Sequence, residues 1–109
     1  MSPRYVPEAG DIVWLQFDPQ AGQCRALVVS PSAYNGKTGL MVCCPMTSQI
    51  KGYPFEVVIE GDSTVAGAAL ADQMKSLDWA ARKARYKGNI SVAELAQVRA
   101  KMTALTGKA

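Results

Sequence analysis

Apolar residues gather in short runs along the first two-thirds of the chain and then spread to helical spacing near its end. Ile12 to Phe17 is apolar on both alternating faces and rich in β-formers, which predicts a strand covered on both sides, as in a closed or strongly curved sheet. A loop over 18–24 with Pro19 and Gly22 follows, then a second strand over Ala26 to Ser30 that Pro31 ends. Asn35-Gly36, within 34–39, is a turn signal leading into a third strand, Leu40 to Cys44, which Pro45 closes. Beyond Gly52 and Pro54, the segment Phe55 to Glu60 alternates so as to expose Glu56 and Glu60 on one face. Gly61-Asp62 reads as a turn, and Ala68 to Gln73 as a short strand of small residues.

After residue 75 the period changes. Ser76 to Lys83 reads as weakly helical or irregular, and the clearest helix of the chain begins after Asn89. Ser91 with Glu94 forms a capping box, Val92, Leu95, Val98, Met102 and Leu105 form one stripe at three-to-four spacing, and Gly107 is placed to end it. Five strands and one helix predict an α+β, mainly β fold: a single domain over 1–109, built as a small antiparallel barrel covered by a C-terminal helix.

Composition narrows the chemistry. With 109 residues, 49% of them hydrophobic, the chain can bury a core without staples. It lacks the ~20-residue apolar run of a membrane span, and Pro3, Pro7 and Glu8 stand where a signal peptide needs an apolar core. A cytoplasmic protein with no membrane association is the expectation. Cys24, Cys43 and Cys44 are odd in number and contain no C-x-x-C, so neither a disulfide framework nor a zinc site is expected, and Cys43 and Cys44 read as packing residues on opposite faces of one strand. There is no histidine, which removes Ser-His-Asp, Cys-His and common zinc mechanisms together. The net charge of +3 is unevenly placed: residues 75–109 hold eight basic and two acidic groups. Arg82, Lys83, Arg85 and Lys87 surround Tyr86, a pattern that suits a polyanion such as RNA or, more plainly, a solvated face.

Several strings carry a family likeness. Arg4-Tyr5-Val6-Pro7 leading to Gly10-Asp11, Trp14 to Pro19, Lys37-Thr38-Gly39, Lys51 to Val58 and Ala69 to Ser76 cover most of residues 4–82, and Lys51 to Val57 beside Leu70-Ala71-Asp72-Gln73 is the most specific part. The sequence resembles the MazF/PemK toxins of bacterial toxin–antitoxin pairs, nearer the MazF branch. The resemblance implies an SH3-like barrel, a homodimer, and a cofactor-free, metal-independent endoribonuclease that cuts single-stranded mRNA at short motifs, leaving a 2′,3′-cyclic phosphate and a 5′-hydroxyl. It implies a MazE-like antitoxin partner whose acidic, disordered tail covers the RNA groove. RNA supplies its own 2′-hydroxyl nucleophile, so a chain without histidine can serve this reaction with Arg and hydroxyl groups.

The resemblance places Arg25, at the loop-proximal end of the second strand, on the scissile phosphate, with Thr47 as a hydroxyl partner and Asp72 as a further catalytic candidate. Asp72 is the weaker match, because the PemK branch has an Arg two residues earlier, where this chain has Leu70. Ser48, Gln49, Lys51 and Lys75, with Arg82, Arg85 and Lys87, are RNA-contact candidates, and Trp14 and Phe17 candidates for stacking an antitoxin side chain or a base, at least one of them belonging to the core. Ala68, Ala69, Ala71 and Met74 are expected to form a flat apolar dimer surface. One departure stands out. The loop after Gly22 is several residues shorter than the family pattern and Arg25 lacks a following Pro, so cleavage is expected to be slowed with antitoxin binding retained. The rival readings are a CcdB-like inhibitor that binds gyrase without chemistry, and an RNA-binding module without turnover.

Overall fold

The structure, a computed structural model, describes residues 5–18 and 22–107, apart from the side chains of 17, 18, 22 and 23. Among the described residues there are seven strands: β1 (Asp11–Asp18), β2 (Gly22–Val28), β3 (Leu40–Thr47), β4 (Glu56–Ile59), β5 (Gly67–Leu70), β6 (Lys75–Asp78) and β7 (Arg85–Asn89). Helix α1 (Ser32–Thr38) lies between β2 and β3, a 3-10 turn (Ala71–Gln73) between β5 and β6, and α2 (Val92–Thr106) ends the fold. The antiparallel sheet runs β4-β5-β3-β2-β1-β7, with β6 also paired to β3.

The expected two-sided burial of β1 is seen. Ile12, Val13 and Leu15 are fully buried, Ile12 on the inner face with Leu27, Cys44 and Ile59, Val13 and Leu15 on the outer face with Val28, Met41 and Cys43. The inner cluster is closed by Val98 and Met102 of α2, and the outer one by Trp79 with Tyr5 and Val6. A strand that is buried on both faces must read as continuously apolar, which is what the sequence displays. Cys43 and Cys44 do fall on opposite faces, and burial pushes their thiols up to about 11 and about 12.

The α+β, mainly β barrel class is as expected, a curled antiparallel sheet with a C-terminal helix, but its parts differ at five places. The Asn35-Gly36 pair is inside α1 and is no hairpin turn. Asn35 is fully buried: its amide donates to the carbonyls of Pro7 (2.8 Å) and Ser30 (2.9 Å), its side-chain oxygen accepts from Ser30 Oγ (2.6 Å), and its backbone carbonyl accepts from Trp79 Nε1 (2.9 Å). Those tertiary bonds outweigh a local turn preference. Second, β3 continues through Pro45. Val42 directs its carbonyl and its amide toward β2, so by alternation Pro45 turns its nitrogen to the other edge, where the partner changes from β6 to β5 and no N–H is needed.

Third, the pairing of β1 with β2 extends to Asp18 opposite Gly22, so much of the expected 18–24 loop is hairpin; residues 19–21 lie outside the described residues. Fourth, β5 stops at Leu70 and the chain turns in 3-10 form over 71–73, while part of the segment expected to be irregular is β6. Fifth, the basic segment supplies β7, whose pairing with β1 makes seven strands where five were expected. In α2 the capping box and the Gly107 terminus are as expected, yet the stripe is only partly buried: Val92 is 86% exposed and Leu105 46%. Ala68, Ala69 and Ala71 are fully buried within this chain and Met74 packs against its inner core, so they form no free apolar surface and supply no argument for a dimer.

Candidate active site

Arg25 lies in the middle of β2, opposite Trp14 of β1, and Trp14 in turn faces Arg85 of β7. Directly opposed residues of antiparallel strands share a face, so the half-buried Trp14 has a cation on either side. The expected position of Arg25, at the loop-proximal end of the strand, is therefore corrected: the ladder extends three residues before it. By alternation Arg25 shares the inner face with Leu27 and reaches past the end of the apolar cluster.

Its guanidinium is held by backbone. Arg25 Nη1 donates to the carbonyl of Ala66 at 2.8 Å and to that of Thr64 at 3.3 Å. Arg25 Nη2 lies over Gly67, where an added Cβ would stand 2.9 Å from it and 2.5 Å from the carbonyl oxygen of Thr47. Gly67 also has φ +148, a conformation L side chains rarely adopt, so the close approach of these groups needs glycine there. Thr47 ends β3 opposite Ala68, and its hydroxyl accepts the Gln49 N–H at 3.1 Å, which leaves its own proton to donate.

Beyond Thr47 opens a cleft of 160 Å³ lined by Thr47, Gln49, Lys51, Tyr53, Glu56, Leu70 and Gln73. The Glu56 carboxylate shapes it by accepting the amides of Lys51 (3.0 Å) and Gly52 (2.8 Å). That use accounts for the half-burial of Glu56, which the alternation of β4 places on the solvent face. Lys51 Nζ lies 5.9 Å from the Tyr53 ring centre, and Tyr53 is 61% exposed. From below, Lys101 Nζ donates to the carbonyl of Pro54.

The sequence-based candidates therefore separate. Arg25, Thr47, Gln49 and Lys51 come together at the cleft or beside it, and Ser48 is exposed next to Thr47 without lining it. Asp72 is exposed on the 3-10 turn, and it is its neighbour Gln73 that faces the cleft. Lys75 pairs with Cys43, about 13 Å along β3 from Thr47 at ~3.3 Å per residue, outside the cleft. Arg85 and Lys87 are exposed on β7 and Arg82 is half-buried in the preceding turn, so this basic group flanks β1 rather than the cleft. The side chain of Phe17 lies outside the described residues. Tyr53, Glu56, Leu70 and Gln73 were not singled out as site residues, although all four fall within the two strings that carry the strongest likeness. Among the described residues, no group of three His, Cys, Asp or Glu side chains could hold a metal ion.

A curled antiparallel sheet covered by a C-terminal helix, with an Arg, a hydroxyl and a polar cleft at its rim, defines a small barrel-like, mainly β protein. Residues 8–106 match the PemK-like, MazF-like toxins of type II toxin–antitoxin systems, and the chain belongs to that family. The Endoribonuclease toxin MazF of Escherichia coli K12 is 50% identical over 112 residues, covering 98% of this chain and all of that protein. That alignment is longer than this 109-residue chain, so a few of its positions stand opposite gaps here, in keeping with a shortened stretch. A MazE–MazF crystal structure from Deinococcus radiodurans superposes with a TM-score of 0.90 at 49% identity, covering 97% of this chain and 100% of that one. An endoribonuclease from a mycobacterial species shares the fold at 19% identity and a TM-score of 0.79, over 97% of this chain and 96% of that one. The protein is thus a MazF-like endoribonuclease toxin, and the gyrase-binding alternative is not favoured.

Proposed function

We propose that this toxin cleaves single-stranded mRNA at short motifs, without a metal, through attack of the ribose 2′-hydroxyl on the adjacent phosphorus. The O2′–P bond forms and the P–O5′ bond breaks. The 2′-proton leaves to water at the open cleft, and the departing 5′-oxygen takes up a proton from water there. Arg25 faces the charge that develops on the phosphorane, and Thr47 donates its hydroxyl proton to a phosphate oxygen. Gln49, Lys51 and Tyr53 hold a neighbouring nucleotide in the cleft, where Tyr53 offers a stacking face. Trp14 between Arg25 and Arg85 continues the track, with Lys87 further along β7. Ser48, Lys75 and Arg82 remain outer contacts on this reading, and Asp72 has no assigned step.

The observation that carries this reading is the meeting of the Arg25 guanidinium and the Thr47 main chain over Gly67. Its partners are a second copy of the chain and a MazE-like antitoxin whose acidic tail competes for the same cations; the Deinococcus MazE–MazF complexes support that expectation. A cytoplasmic location follows from the substrate, and among the described residues no helix is long and apolar enough to cross a membrane. The test is a long single-stranded RNA incubated with the protein in EDTA. Discrete cuts ending in 2′,3′-cyclic phosphate are expected, and Arg25→Ala should slow them by roughly 100- to 1,000-fold. Binding without cuts would leave only an RNA-binding module.

A further inference from the structure

The guanidinium of Arg25 is aimed by a turn that is itself tied shut. Asp62 Oδ1 accepts the Thr64 N–H at 3.0 Å and the Thr64 hydroxyl at 2.6 Å, while the Asp62 carbonyl accepts the amides of Val65 (3.0 Å) and Ala66 (2.8 Å). Thr64 Oγ1 also lies 3.5 Å from the Lys87 carbonyl, but a hydroxyl has one proton and the shorter, charge-assisted bond to Asp62 takes it. The turn is seated as well as closed. Val65 is buried, and its side chain fills the space that a Cβ at Gly88 would need, 2.6 Å away. Closed and seated in this way, the turn presents the carbonyls of Thr64 and Ala66 to Arg25 Nη1.

We propose that Asp62 is a positioning residue for Arg25: its carboxylate caps the 62–66 turn and so fixes the two carbonyls that aim the guanidinium. The proposal rests on the reading of Arg25 as the phosphate-facing residue. A long arginine side chain leaving mid-strand has several rotamers, and two fixed acceptors on one nitrogen select among them. Asp62 is fully exposed and touches no reacting atom, so its effect reaches the reaction only through the turn.

The experiment compares Asp62→Ala with Asp62→Asn, which keeps the acceptor oxygen. Single-turnover cleavage at saturating RNA should fall roughly 10- to 100-fold in Asp62→Ala, as expected for a misplacement of up to ~1 Å, with RNA affinity within about 2-fold of the parent chain. Asp62→Asn should restore the rate. In the free protein, nitrogen-15 NMR should show slowly rotating, dispersed Arg25 guanidinium resonances in the parent chain and in Asp62→Asn, collapsed in Asp62→Ala. Unchanged resonances in Asp62→Ala overturn the proposal whatever the rate does, and so does an Asn variant as slow as the Ala variant. If instead Arg25→Ala cleaves normally, the catalytic reading of Arg25 fails, and the NMR comparison still decides whether Asp62 positions that side chain.

Discussion

The two halves of the candidate site, Arg25 beside the cleft and the loop that lines it, are built on opposite plans. On one side Arg25 projects from the middle of a paired strand, half-buried, with its guanidinium held by two backbone carbonyls over a glycine. On the other, Gln49, Lys51 and Tyr53 stand exposed on a loop that the Glu56 carboxylate ties through the amides of Lys51 and Gly52. Stabilising a developing charge demands donors fixed to a fraction of an ångström, because reorganisation during the reaction would consume the gain. Contact with a flexible single strand gains from side chains that adjust. On the proposed reading, rigidity is therefore placed where charge develops and freedom where the strand is held.

Four measurements would break or sharpen that contrast. Arg25→Ala should lower single-turnover cleavage by roughly 100- to 1,000-fold while leaving RNA affinity nearly intact, the loss typical of one preorganised donor. A comparable loss in affinity alone would move Arg25 to the binding side. Thr47→Val removes one hydrogen bond to a charged group and should cost roughly 10- to 100-fold in rate at saturating RNA. Tyr53→Ala should instead act on affinity, weakening RNA binding about 10-fold through a lost stacking contact, with the saturated rate kept. Lys51→Ala should have the smallest effect, a few-fold in affinity at most, and should reduce the log–log salt slope of binding by about 0.7. A changed saturated rate in either loop variant would contradict the division.

Much of this was legible beforehand, and the failures share one cause. The apolar run over Ile12 to Leu15 announced a strand buried on both faces, and Ser91, Glu94 and Gly107 announced the limits of α2, because those signals are local. Asn35-Gly36 misled because buried partners at Pro7, Ser30 and Trp79 decide its conformation, and two of them, Pro7 and Trp79, lie 28 and 44 residues away in sequence. Pro45 misled because a strand that changes partner has a place for a residue without an N–H. At the candidate site, family likeness pointed to Arg25 and Thr47, which the structure brings together over Gly67, whereas Gly67 and Asp62 carry no motif. Gly67 acts by lacking a Cβ, and Asp62 through a carboxylate that meets the neighbouring Thr64. The braced position of Arg25 also bears on the shortened loop: the guanidinium takes its aim from 64–66, across the sheet, so the slowing expected from a shorter β1–β2 connection has a counterweight there.

The pairing of β1 with β7 has a consequence in time. Asp11 meets Asn89, and the turn that holds Arg25 rests against Gly88. Contacts so distant in sequence form late, after local hairpins and helices. A ribosome adding ~5–20 residues per second needs about 3–13 s to go from Arg25 to Gly88, and through that interval the nascent arginine has no completed seat. On the proposed reading of Arg25, the fold therefore withholds a finished cutting site from a chain that has not yet been extended through β7.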